Sequence, residues 1–125
     1  RKGNYDEAFA HLRRSVEVDD NLPYDEPWGW IQPTRHALGA LLLEQGRVAE
    51  AEAVYREDLG LGGDLSRATI HPDNVWSLKG LYECMADRRD TAEARLIKQR
   101  LDLAAARSDV PVEVSCFCAR SAAAE

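Results

Sequence analysis

Three stretches of the chain follow one plan, and that repetition restricts the folds open to it more than any other feature. They are GNYDEAFAHL (Gly3 to Leu12), GRVAEAEAVY (Gly46 to Tyr55) and DRRDTAEARL (Asp87 to Leu96). Each carries an alanine five residues after its first position (Ala8, Ala51, Ala92) and a large residue four later (Leu12, Tyr55, Leu96). Four residues is about one helical turn, so the small and the large side chain share a face. A neighbouring helix can approach at the alanine while the large residue fills the space beside it.

Two of these stretches are preceded by a second helical segment. HALGALLLEQG and WSLKGLYECMAD place Gly39 and Gly80 twelve residues before Ala51 and Ala92. A glycine inside a helix costs about 1 kcal/mol relative to alanine, so its use in both segments points to a close approach between helices. Gly46 reads as a helix end, and Asp90 before Thr91-Ala92-Glu93 as a helix start. The pattern predicts five helices near residues 4–18, 33–45, 48–59, 73–86 and 90–106, an all-α fold without a real sheet.

This pattern resembles the tetratricopeptide repeat, a helix–turn–helix unit of about 34 residues written W-x2-L-G-x2-Y followed by A-x3-F. The second unit matches at Leu38, Gly39, Ala51 and Tyr55, with Arg35 at the tryptophan place and Leu42 at the tyrosine place. The third matches at Trp76, Gly80 and Ala92, with Lys79 for leucine and Glu83 for tyrosine. The stretches ALLLEQGRVAEAEAVYREDL and HPDNVWSLKGLYECM also resemble the C-terminal part of larger bacterial and fungal tetratricopeptide proteins of unsettled role. The resemblance implies an α-α solenoid of about two and a half helix pairs over residues 1–107, followed by an extended tail over 108–125. The first pair shows only its second helix, so its partner is expected upstream of Arg1, where the chain begins without a methionine.

The spacing departs from that family. Ala8 and Ala51 lie 43 apart and Ala51 and Ala92 lie 41 apart, more than the family's period. The surplus falls between units: in PYDEPWGWIQP (Pro23 to Pro33), with Tyr24, Trp28 and Trp30, and in GLGGDLSRATIHPD (Gly60 to Asp73). The first stretch is expected to lie against the helices, its rings serving as a wedge or as an aromatic anchor for a partner.

By resemblance, the first helix of each pair lines the concave side. That makes His36, Ala40 and Leu43 of the second unit, with Asn74, Ser77, Leu81 and Met85 of the third, the expected partner-binding groove. Family members that clamp a peptide's C-terminal carboxylate do so with basic residues and asparagines. The matching places here are mostly apolar, so that clamp is not expected.

Other chemistry is thinly represented. The sequence holds no HExxH, no GxSxG and no Gly-rich phosphate loop, and its histidines fall in three separate elements. An enzyme is not expected, nor is a cofactor. A net charge of −6 without a basic stripe argues against nucleic acid, and no apolar run approaches the roughly 20 residues of a membrane span. Three cysteines, neither an even nor a dense set, read as free thiols of a cytoplasmic protein. Cys84 falls at a helix position suited to a small core residue. Cys116 and Cys118 are weak metal candidates, since zinc ordinarily takes four ligands in paired CxxC-type spacing. Around them Val110, Val112, Val114, Cys116 and Cys118 alternate with other residues, the period of an extended segment with one apolar face.

The functional expectation is a scaffold that binds a protein or peptide segment. The alternatives are a structural or self-association domain of a longer enzyme or regulator, and a minor thiol or metal site at Cys116 and Cys118. An incomplete first pair would leave Tyr5, Phe9, Leu12 and Val16 partly uncovered, a stripe through which copies of the chain could associate.

Overall fold

The computed structural model describes residues 3–23, 32–86, 91–116 and 118. Tyr24, Trp28 and Trp30 lie outside them, as does Asp90. Five helices carry the described chain: α1 (Tyr5–Asp20), α2 (Thr34–Glu44), α3 (Val48–Asp58), α4 (Val75–Cys84) and α5 (Ala92–Ala105). There is no strand among the described residues, and no helix among them is long and apolar enough to cross a membrane. Each helix packs against the next in order, and α2 also touches α4.

Local chemistry sets the helix ends. The α2–α3 turn closes with Gly46 N–H on the Leu43 carbonyl at 2.9 Å and Arg47 N–H on the Leu42 carbonyl at 2.8 Å. This double closure requires a left-handed residue, supplied by Gly46 at φ 71°. The start of α2 follows Pro33, which offers no capping side chain. Asp19 near the end of α1 supplies the acceptor instead, 3.0 Å from Thr34 Oγ1 and 3.3 Å from Thr34 N. Thr91 caps α5, its hydroxyl accepting from Ala94 N at 3.2 Å.

Tyr55 is the centre of the core. It is fully buried, and its ring lies against both α2 and α4 at their glycines. A Cβ on Gly39 would stand 2.5 Å from Tyr55 Cζ, and one on Gly80 2.2 Å from the same atom. Both glycines therefore make room for one tyrosine ring from α3, where the sequence pattern had suggested only close helix approach. Leu38, Leu42, Leu78, Leu81 and Met85 complete the packing around it.

Two expectations about the helical faces are corrected. Ala92 is exposed and Leu96 is 56% exposed, while Ala94, Ile97 and Leu101 form the buried stripe of α5. The alanine equivalent to Ala51 is thus Ala94, and the two intervals from Ala8 to Ala51 and from Ala51 to Ala94 become equal at 43. Phe9 is buried, not uncovered. It packs into the core cluster with Leu12 and Val16 alongside, and the Arg47 guanidinium stands 4.5 Å over its ring. Of the expected stripe, Tyr5 is exposed and Leu12 and Val16 are half-buried, so Phe9 alone departs from the expectation.

Arg35 ties three helices together from the place where the repeat pattern has tryptophan. It is buried on α2 and forks onto the Asp20 carboxylate at the end of α1, with Nη2 2.8 Å from Oδ2. The same Nη2 lies 3.5 Å from Glu57 Oε2 of α3. Burial alone would weaken its charge, but the Asp20 hydrogen bonds and the charges of Asp20, Glu57 and Asp58 outweigh it and raise its pKa.

Candidate functional site

The last turn of α3 carries a charge on its apolar stripe. Ala51, Val54, Tyr55 and Asp58 share the buried face, and Asp58 is 0% exposed. A buried carboxylate needs partners, and three arrive from different elements. His36 Nε2 of α2 is 3.2 Å from Oδ2, His71 Nδ1 of the long α3–α4 connection is 2.7 Å from Oδ1, and the Ser77 hydroxyl of α4 donates to Oδ2. His71 N–H also donates to the Asp58 carbonyl at 2.6 Å.

Burial works against the Asp58 anion. The hydrogen bonds from His36 and His71, the charge of His36 and the Ser77 hydroxyl more than compensate, and hold its pKa well below the usual carboxylate range. An ionised carboxylate only accepts, so His36 Nε2 and His71 Nδ1 each carry the shared proton. That assignment names the ring nitrogen through which each imidazole donates to Asp58. Ser77 gives its proton to Asp58 and not to a histidine, so this cluster lacks the hydroxyl–imidazole contact of an activated nucleophile. Its evident work is to fasten residues 60–73 to three helices at one point.

Adjacent to this cluster, the C-terminal segment reaches the core. The Tyr55 hydroxyl, carried between Gly39 and Gly80, donates to Ser115 Oγ at 2.8 Å. Burial pushes the Tyr55 phenol up, well above its ordinary value, so it stays a neutral donor. Gln32, just before α2, donates its side-chain N–H to Cys116 Sγ at 2.9 Å. Ser115 and Cys116 are both buried, whereas Val110 is 41% exposed. The expected two-residue alternation therefore ends at Val114, where two successive residues turn inward.

Cys116 and Cys118 are joined in a disulfide, which corrects the expectation of free thiols. It also removes them as metal candidates in this state, since a disulfide offers no thiolate to a metal. Among the described residues, no group of three or more histidine, cysteine or acidic residues is placed to hold a metal ion.

The seven expected groove residues divide by burial. His36, Ser77, Leu81 and Met85 are interior, so they belong to the core or the Asp58 cluster and offer no open surface to a partner. Ala40 and Leu43 are half-buried. Asn74 is half-buried too, but its carboxamide oxygen caps α4, accepting from Trp76 N at 2.9 Å and Ser77 N at 3.3 Å. Tyr24, Trp28 and Trp30 fall outside the described residues.

What the sequence pattern missed is the joint role of Asp58, His36, His71 and Ser77, and the reach of Tyr55 to Ser115. One signal was present: an aspartate at the fourth place of an otherwise apolar helical stripe demands buried partners. Set against protein-family models, curated proteins and solved structures, the chain matches none of them.

Proposed function

We propose that the chain is a helical-repeat module of the tetratricopeptide type that binds an extended peptide segment across α2 and α4. In this reading its own segment ending at Ser115 and Cys116, which meet Tyr55 and Gln32, stands in for the ligand. One observation carries the reading: Tyr55, rooted on α3, passes its hydroxyl between Gly39 and Gly80 to Ser115. A side chain threaded between two helices to meet a non-helical segment beyond them is a built contact for such a segment. Supporting it, α2 and α4 are the first helices of their pairs, the ones that line the inner side in helical repeats. The favoured ligand has β-branched residues leading to a small hydroxyl residue, as Val112, Val114 and Ser115 do.

A segment tethered nearby competes at an effective concentration of about a millimolar. The full chain with Ser115→Asp and Cys116→Asp displaces its own segment and should bind a fluorescent peptide of residues 108–118, its disulfide closed. The anisotropy should saturate below about 100 µM peptide, well under that competing concentration. The unsubstituted chain should bind it at least tenfold more weakly, and Tyr55→Phe in the displaced chain should weaken it about fivefold, the worth of one hydrogen bond. No binding to the displaced chain would overturn the reading.

A further inference from the structure

The Cys116–Cys118 disulfide has two chemically unequal ends. Cys116 is buried and Cys118 is exposed. Two N–H donors converge on the buried sulfur: the Gln32 carboxamide at 2.9 Å and the Cys118 backbone amide at 3.2 Å. Neutral disulfide sulfur is a weak acceptor, so two donors on one sulfur stabilise it far more once it carries negative charge. In thiol–disulfide exchange, the sulfur that leaves is the one that acquires that charge, and a better stabilised leaving thiolate departs faster.

We propose that Cys116–Cys118 is a directional thiol-exchange site, in which an incoming dithiol attacks Cys118 and Cys116 departs as a thiolate held by Gln32. A thiolate of the dithiol forms a bond to Cys118 Sγ, and the Cys116–Cys118 bond breaks with its electron pair passing to Cys116. The second thiol of the dithiol loses its proton and attacks the mixed disulfide. This releases the Cys118 sulfur, which takes up a proton, and the dithiol leaves as its cyclic disulfide. Two electrons have moved to the protein and one disulfide has been exchanged for another. Gln32 touches only the sulfur that leaves, so it is a positioning donor that sets both direction and rate. The proposal rests on the contacts of Cys116 with Gln32 and the Cys118 amide, and does not require that α2 and α4 bind a foreign peptide.

The full oxidised chain, reduced by dithiothreitol near neutral pH and followed by mass shift on alkylation, gives the test. Gln32→Glu keeps the size of the side chain and removes the donor. It should slow reduction about tenfold or more, since hydrogen bonds to charged groups are the strong ones. A merely structural Gln32 predicts the opposite sign, because losing a tether would loosen the segment and speed reduction. In a second arm, the unsubstituted chain is treated with glutathione while iodoacetamide traps the departing thiolate. Digestion and mass spectrometry should then find glutathione on Cys118 and the alkyl group on Cys116. Unchanged or faster reduction of Gln32→Glu, or glutathione on Cys116, would overturn the proposal.

Discussion

A methyl group on Gly80 would stand 2.2 Å from Tyr55 Cζ, a separation that side-chain carbons do not adopt. The obstacle is a fully buried ring with no room to retreat, because Gly39 flanks the same atom from α2.

Gly80→Ala should therefore destabilise the chain even though alanine is the better helix former by about 1 kcal/mol. Overpacking of this kind costs about 1–3 kcal/mol beyond the propensity gain. Urea denaturation of the two chains gives the difference. A stability gain would mean that Tyr55 does not occupy the gap between α2 and α4.

Tyr55→Phe should keep the ring packing and remove the donor to Ser115. The expected loss is about 1 kcal/mol, the net worth of an ordinary hydrogen bond. Hydrogen exchange should locate the effect in the segment ending at Ser115, with little change in α3 itself. Equal loosening of α3 would contradict the assigned contact.

Asp58 makes stability depend on acid. Its ordinary pKa is 3.8, and the native cluster lowers it. The unfolded chain thus binds the proton first, and the stability this carboxylate contributes is complete above about pH 5. It falls as pH drops through 3.8 toward the native value. Asp58→Asn should cost about 3 kcal/mol at neutral pH by leaving His36, His71 and Ser77 short of an anionic acceptor. It should also flatten the acid limb of stability against pH. Parallel curves for the two chains would rule out Asp58 as the group responsible.

Arg35→Lys retains the charge but not the two-pronged grip on Asp20. A planar guanidinium and an ammonium are not equivalent at a buried forked contact, and about 1–2 kcal/mol should be lost. Double substitution with Asp20→Asn should cost less than the two single changes added, because the residues share one interaction. Additive costs would separate them.

The helices were legible because local pattern determines them. The expected α2 at 33–45 differs from Thr34–Glu44 by a residue at each end, and the expected α3 at 48–59 differs from Val48–Asp58 by one residue at its C-terminal end. Gly46 announced its turn because only a left-handed residue closes it. The stripe of α5 was placed two residues early because Ala92 and Ala94 fit the same small-residue slot, and only packing against α4 distinguishes them. The Asp58 cluster was hidden for a different reason. Its partners lie 22, 13 and 19 residues away along the chain, and no local period links such positions. The disulfide escaped because an odd cysteine count gives no pairing rule, whereas proximity on a short turn does.

The fastening of α1 is uneven along its length, and this sets the order in which the molecule comes apart. At its C-terminal end, Asp20 engages the buried Arg35 and Asp19 serves the start of α2. Toward the N-terminus the ties are Phe9 beneath Arg47 and a solvent-facing ion pair of Arg13 with Glu50 at 2.7 Å, the latter weakened by salt. Opening should begin at Tyr5 and travel like a zipper toward Asp20, stopping where Arg35 holds. Amide protection would then rise stepwise along one helix, and added salt would shift the lower steps while leaving the last in place.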